Sequence, residues 1–464
     1  MFRWFMAKTV RRIQFSPCRC SKADRSQTRQ VTLLAAALGT VLTASPSLAE
    51  VLPIDAALAQ WNMAAARSLV VMMPRGPERC AVEGEIASRE NRLEEAERLL
   101  SRCLVSLEKS RSARAREALD ALVDVYRRRG EYGQEYALLV RWLKTYAKTG
   151  DREEFTDLRN ELGTAAALRG ASRREPTGDT TASLHAYVNP LGTRSVNLTA
   201  GGVTLPWMID TGANYSVVSE SAARRMGLKI REASYRVEGS TGHTVETRLS
   251  LIDSLPVGGM ILHDVVAIVV PDEGLHIRSS RADYQIEATL GYPALAQLGR
   301  FRIDPDGSFV IDRAAPLLQS GAALYMSQLT PLAEVDITGR KVVLSIDTGA
   351  TRTELYAGYA DRFRERASIW TSKKDGTSGL GGNAEADVAV EPRLTMVAGG
   401  RSVTEKDVSI ALDGDRSAAV LGNLGQTFLT LCGSYTFDFR SMRLLLGGPD
   451  HAANFSSNRL ARGS

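Results

Sequence analysis

The chain has 464 residues, of which 24% are charged and 44% hydrophobic, and a net charge of +5. That length gives room for about three domains of ordinary size, each large enough to bury a core. The charge is unevenly placed: residues 1–30 carry Arg3, Lys8, Arg11, Arg12, Arg19, Lys22, Arg25 and Arg29 against Asp24, a net of +7, which leaves −2 for residues 50–464. The basicity therefore belongs to the leader, and nucleic-acid binding is argued against.

Val31 to Ala44 is a 14-residue apolar run, too short for a comfortable membrane span, and Ser47-Leu48-Ala49 follows with small residues at the two cleavage positions. The pattern predicts a signal peptide over 1–49 cut after Ala49, a secreted or periplasmic protein, and no stable membrane span once it is removed. An uncleaved anchor is the alternative. Arg11-Arg12-Ile13-Gln14-Phe15 resembles a twin-arginine signal loosely.

Residues 50–170 are predicted to form a helical domain. Leu93, Ala96, Leu100 and Cys103 fall on one helical stripe, and Leu119, Leu122 and Tyr126, then Tyr136, Leu139 and Trp142, fall on the next two. Leu119, Leu122, Tyr126, Gly130, Tyr132 and Leu139 resemble a tetratricopeptide unit, with Glu135 where a small residue is usual. A protein partner held through these helices is expected. Cys80 and Cys103 sit at roughly equal distances from a bend near Arg89 to Asn91, so in an oxidising compartment a disulfide is predicted between them, with Cys432 a buried thiol. Residues 171–183 are polar and carry Pro176 and Gly178, which marks a linker that serves as a hinge or processing site.

The rest of the chain is organised by one internal repeat. Met208-Ile209-Asp210-Thr211-Gly212-Ala213 returns 137 residues later as Ser345-Ile346-Asp347-Thr348-Gly349-Ala350. Upstream, Leu198, Gly202, Leu205, Trp207 and Ile209 align at the same offset with Val335, Gly339, Val342, Leu344 and Ile346, a hairpin of alternating apolar residues turning at glycine. Downstream, Ala288-Thr289-Leu290-Gly291 precedes Phe301-Arg302-Ile303-Asp304, and Ala419-Val420-Leu421-Gly422 precedes Tyr435-Thr436-Phe437-Asp438. A long period counted once means two similar lobes and not a solenoid. The boundaries predicted are 184–315 for the first lobe, 316–330 for the connection, 331–448 for the second lobe and 449–464 for a frayed tail.

An apolar pair, Asp-Thr-Gly-Ala, and an apolar-apolar-Gly some eighty residues on resembles the retropepsin-like aspartic proteases, over roughly Leu184 to Leu446. Ala213 and Ala350 match the retroviral type. The resemblance implies an all-β double lobe of two retropepsin-like barrels, α+β overall with the helices in front, and cross-bonds from Thr211 and Thr348 to the opposite loop.

The chemistry follows from the residue types. Asp210 and Asp347, set face to face, cannot both ionise cheaply, so the pair holds one proton over a wide pH range. One carboxylate is then the base for a water and the other the acid for a scissile carbonyl. Gly212 and Gly349 let backbone amides approach the carboxylates where a Cβ would obstruct.

Arg236 to Val245, with Gly239, Ser240, Thr241 and Gly242 at its turn, reads as a flap hairpin, and Thr377 to Asn383 as its counterpart. Neither has a tyrosine at its tip, unlike the pepsin pattern. Asp304-Pro305-Asp306-Gly307-Ser308 reads as a hairpin turn, and neither a metal nor a cofactor is assigned. No serine sits in a Gly-x-Ser-x-Gly elbow. The expectation is an aspartic endopeptidase acting on a peptide or protein substrate. The alternatives are a catalytically inactive peptide-binding scaffold and a homodimer in which each lobe pairs with its twin.

Overall fold

A computed structural model describes residues 2–3, 53–146, 152–238, 244–278, 282–380 and 382–447. The leader's apolar run, the cleavage position and the tail from residue 449 lie outside these residues. The fold is mostly β with a helical region in front, an α+β chain.

The helical region runs α1 (Pro53–Ala59), α2 (Met63–Val70), α3 (Pro77–Arg89), α4 (Leu93–Lys109), α5 (Arg114–Arg129), α6 (Tyr132–Tyr146) and α7 (Arg152–Leu168). Leu100, Cys103, Leu119, Leu122, Leu139 and Trp142, the predicted stripes, are buried in one core. The α3–α4 hairpin turns at Asn91, whose φ of 59° is left-handed backbone that asparagine tolerates. The α5 helix stops at Gly130, also left-handed at φ 71°. Glu135, the departure from the small-residue pattern, is buried with its Oε1 2.7 Å from Arg127 Nε, and Arg127 also reaches Glu161 at 2.7 Å. One guanidinium thus ties α5, α6 and α7 together, and a buried carboxylate sits where packing alone would call for alanine.

The expected disulfide is not formed. Cys80 and Cys103 do face the same α3–α4 interface, but both are free, buried thiols. Cys80 Sγ donates to the carbonyl of Leu99 at 3.2 Å and Cys103 Sγ to that of Leu100 at 3.5 Å, so each finds a partner on α4.

The first β half comprises β1 (Thr181–Val188), β2 (Arg194–Ala200), β3 (Val203–Ile209), β4 (Ser216–Ser219), α8 (Glu220–Arg225), β5 (Arg231–Glu238), β6 (Thr244–Val257), β7 (Met260–Val270), β8 (Ala288–Leu290), α9 (Tyr292–Gln297), β9 (Arg300–Ile303) and β10 (Ser308–Asp312). The second comprises β11 (Ala322–Ser327), β12 (Thr330–Ile337), β13 (Arg340–Ile346), β14 (Glu354–Leu355), α10 (Ala357–Arg362), β15 (Thr371–Gly379), β16 (Gly382–Ala398), β17 (Arg401–Ala411), β18 (Val420–Leu424), α11 (Gln426–Leu431), β19 (Tyr435–Asp438) and β20 (Arg443–Leu446). In each half a short strand runs parallel to the one that ends at the aspartate: β8 beside β3, with Leu290 opposite Ile209, and β18 beside β13, with Leu424 opposite Ile346.

Three strands from each half form one antiparallel sheet in the order β1–β10–β9–β19–β20–β11. At its centre Phe301 pairs with Phe437, and their rings stack at 5.1 Å in the main core. Beside them the fully buried Asp438 accepts at Oδ2 from Arg300 Nε at 3.0 Å and Nη2 at 2.7 Å, so two donors of one guanidinium clamp one carboxylate oxygen across the two halves. That pair holds the Asp438 carboxyl below the usual range against the opposing cost of burial. The segment expected only to connect the halves, 316–330, contributes β11 to this sheet. Asp304 to Ser308 is the β9–β10 hairpin turn, with Gly307 at φ 88°.

The helical region packs against both halves. Ile54, Leu58, Trp61 and Met63 share a buried cluster with Tyr325, Leu332, Val343 and Val420, while Tyr132 and Leu168 share another with Met208, Val217 and Ile268. The predicted linker is pinned as well: Arg174 forks onto Asp264 at 2.6 and 3.0 Å.

Candidate active site

Strand β3 alternates Trp207 and Ile209 into the main core with Met208 on the other face, and delivers Asp210 at its end. Strand β13 delivers Asp347 in the same manner. Ladder bonds seat both loops: the Asp210 amide donates to Leu290 O at 3.1 Å and the Asp347 amide to Leu424 O at 3.0 Å.

The loops interlock. The Thr211 amide donates to Thr348 Oγ1 at 3.0 Å, and that hydroxyl donates to Ile209 O at 2.8 Å. Reciprocally, the Thr348 amide donates to Thr211 Oγ1 at 3.1 Å, and that hydroxyl donates to Ile346 O at 2.8 Å. Each hydroxyl thus accepts one bond from the opposite loop and donates one to the strand that leads into it, so both buried hydroxyls are satisfied.

Each carboxylate is also cradled by its own loop. Asp210 Oδ1 accepts from the amides of Gly212 at 2.8 Å and Ala213 at 3.1 Å, and Asp347 Oδ1 from those of Gly349 at 2.9 Å and Ala350 at 3.0 Å. The two carboxyls are close enough that glycine is obligatory on both sides. A Cβ on Gly212 would stand 2.5 Å from Asp347 Cγ, and one on Gly349 would stand 2.4 Å from Asp210 Cγ.

Burial dominates the electrostatics. Asp210 is 0% and Asp347 2% exposed. Desolvation, then the facing charge of Asp347, pushes the Asp210 carboxyl well above the ordinary range. Desolvation also raises Asp347, to about 6, held back by the Asp210 hydrogen bond, by the Gly349 and Ala350 amides and by Asn423. Such a coupled pair holds a proton above the pH at which an ordinary aspartate loses it.

The sequence places these six residues, Asp210, Thr211, Gly212, Asp347, Thr348 and Gly349, in one constellation, and the fold brings all six together. It misaligns one neighbour. The counterpart of Leu290-Gly291 is Leu424-Gly425, three residues beyond the expected Leu421-Gly422. Gly291 starts α9 and Gly425 starts α11, and a Cβ on either would meet the carbonyl of Tyr215 at 2.3 Å or of Arg352 at 2.4 Å. Leu-Gly occurs twice in Leu421-Gly422-Asn423-Leu424-Gly425, and only the spacing to the following helix separates the two. Asn423, Ser345 and Gln426 are thereby polar neighbours that the sequence did not single out. Gln426 Nε2 donates to Thr348 O at 2.7 Å.

Gly239, Ser240, Thr241 and Gly242, the candidate flap tip, lie outside the described residues. The strands that carry them, β5 and β6, form the expected hairpin with Glu238 opposite Thr244. In the counterpart hairpin Gly379 pairs with Gly382, and Leu380 at its turn is fully buried among Val245, Val270, Leu275 and Ile277 of the first half. The hairpin therefore reaches across from one half to the other.

Residues 196–294 match the aspartyl protease family model. The match includes Asp210-Thr211-Gly212-Ala213 and Gly291, so the first β half carries an aspartyl-protease-like domain. No curated protein matches the chain. Among solved structures, conglutin gamma, a basic 7S globulin from lupine seeds, is similar at 11% identity over 57% of this chain and 94% of its own, with a TM-score of 0.37. Basic 7S globulin from soybean is similar at 12% identity over 57% of this chain and 95% of its own, with a TM-score of 0.36.

Proposed function

We propose that the chain is an aspartic endopeptidase whose two β halves are retropepsin-like lobes forming one active site, with Asp210 and Asp347 as its dyad. The observation that carries this reading is the reciprocal Thr211–Thr348 interlock, which fixes two buried carboxyls face to face within a single chain.

In the reaction the ionised aspartate takes a proton from water as the water oxygen bonds to the scissile carbonyl carbon. The protonated aspartate gives its proton to the carbonyl oxygen, and a gem-diol forms. On collapse the first aspartate returns its proton to the leaving nitrogen, the C–N bond breaks, and one diol hydroxyl gives its proton back to the second. The Gly212, Ala213, Gly349 and Ala350 amides stay bonded to the carboxylates throughout, so little reorganises as charge moves. The same proposal includes export by the leader, a tetratricopeptide-like helical region that meets a protein partner, and a peptide or protein substrate.

The test is cleavage of a diverse peptide pool across pH 3 to 8 by the wild type, Asp210→Asn, Asp347→Asn and the double variant, with circular dichroism as the folding control. One shared site predicts that each single variant is as inactive as the double. About half of the activity in each single would point to a homodimer with two sites. Peptide binding without any turnover would make the protein an inactive scaffold.

A further inference from the structure

The two loops match in their interlock and in their amide cradles, yet they differ behind the carboxylates. Position 289 on β8, opposite Met208, is the counterpart of position 423 on β18, opposite Ser345. In the first half these are Thr289 and Met208. Among the described residues the Thr289 hydroxyl is buried with no partner, Met208 has no side-chain donor, and no donor meets Asp210 Oδ2, which is likewise buried. In the second half Asn423 Nδ2 donates to Asp347 Oδ2 at 3.4 Å. Its amide is oriented from behind by Ser345 Oγ, which lies 3.1 Å from both Asn423 Oδ1 and Gly422 O. Asp347 therefore has donors for both of its oxygens, and Asp210 for only one.

A carboxylate accepts at both oxygens, whereas a carboxylic acid carries its own donor on one of them. A buried oxygen with no donor is where a proton costs least, and one that already receives an N–H is where a proton costs most. We propose that Asn423 assigns the roles within the dyad: it keeps Asp347 as the ionised base and leaves the proton on Asp210 Oδ2, the acid. Asn423 is then a positioning residue that acts through Asp347 and touches no reacting atom. Ser345 serves it in turn, because an amide turned the other way would set a carbonyl oxygen against Asp347 Oδ2 and draw the proton there. The direction of the carboxyl shifts agrees, with Asn423 among the groups that hold Asp347 down.

This inference rests on the peptidase reading, and its test separates the two. The carboxyl carbons of Asp210 and Asp347 are followed by NMR through a pH titration of the full chain, for wild type, Asn423→Thr, Thr289→Asn with Met208→Ser, and all three changes together, alongside the pH dependence of kcat/KM. In the wild type Asp347 should titrate first. In Asn423→Thr, which copies the first half, its apparent value should rise by about one pH unit, and the acid limb of the rate should move with it. Thr289→Asn, made together with Met208→Ser so that its amide is oriented as Ser345 orients Asn423, should lower Asp210, and adding Asn423→Thr should invert the order. Rates that fall with the titration order and the acid limb unmoved would reduce Asn423 to a packing role and overturn the proposal, as would a wild type in which Asp210 is the first to ionise. If no form cleaves peptide, the peptidase reading fails, while the carbon titrations still decide the asymmetry.

Discussion

Removal of the Thr348 hydroxyl is the sharpest test of the interlock. The change leaves the Thr211 amide without its acceptor at 3.0 Å and the Ile209 carbonyl without its donor at 2.8 Å, both in a fully buried setting. A buried group left unpaired costs about 1–3 kcal/mol, and the carbonyl, with a second lone pair, loses less than the amide, so Thr348→Val should cost about 2–4 kcal/mol. Valine keeps the shape, which isolates the hydroxyl from any cavity effect. Thr348→Ser keeps both bonds and loses only a methyl, about 0.8 kcal/mol. Urea denaturation of the two variants side by side reads the difference, and peptide cleavage should fall by about 10²-fold in Thr348→Val as the carboxyls lose registration. Thr211→Val should behave alike, and the double variant should cost less than the sum because both hydroxyls belong to one interlock. Equal stability of the Val and Ser variants, within about 0.5 kcal/mol, would refute the claim that these bonds hold the loops together.

The dyad also sets a pH dependence. Both carboxyls are raised, Asp347 to about 6, so the stability they contribute is present below the ordinary aspartate range and is lost as pH rises through the folded values. Asp347→Asn should therefore gain in melting temperature over wild type at pH 7.5 and lose most of that advantage at pH 4, and an advantage independent of pH would contradict this. Gly349→Ala places a Cβ 2.4 Å from Asp210 Cγ, so cleavage should vanish while Gly163→Ala, at a position open within 4 Å, leaves it intact; a cleaving Gly349→Ala variant would refute the close approach. Burial raises the Cys103 and Cys432 thiols to about 12, so alkylation at pH 8 should be slow in the native protein and rapid in denaturant, and Cys80 and Cys103 should count as two thiols without reductant. Leu168→Asp puts a charge into the cluster that joins α7 to Met208 and Val217, and should loosen the helices from the first half, detected as faster hydrogen exchange in β5 and faster peptide cleavage. Unchanged exchange there would show that the contact does not hold the helices in place.

The dyad was legible in the sequence because its six residues are local to two loops and the hexamer repeats. What the sequence hid is non-local. The β11 strand lies between Pro316 and Pro331 and looks like a connector until its pairing with β20 completes the six-stranded sheet. The clamp of Arg300 on Asp438 joins residues 138 apart, and no periodicity announces it. Asn423 was hidden by the second Leu-Gly. Glu135 looked like a flaw in a helical repeat because its partner, Arg127, lies on the preceding helix. The cysteine pair shows the opposite limit: helical spacing located both thiols on one interface, but it could not say that backbone carbonyls of α4 would satisfy each of them separately.

The helices lie against the Met208 face of the strand that ends at Asp210. Strand alternation sends Trp207 and Ile209 into the main core and Met208 to the opposite face. On that face Tyr132 of α6 and Leu168 of α7 pack into one buried cluster with Met208, Val217, Ile268 and, from the far half, Leu380. The end of α7 runs along the first hairpin, where Arg231 Nη1 reaches Ala167 O at 2.5 Å. The 171–176 segment that follows α7 has no regular structure and is tied down by Arg174 on Asp264 and by Arg173, whose guanidinium reaches Arg128 O. The buried Arg127–Glu135–Glu161 cluster ties α5, α6 and α7 together, so these helices meet the first half as a unit.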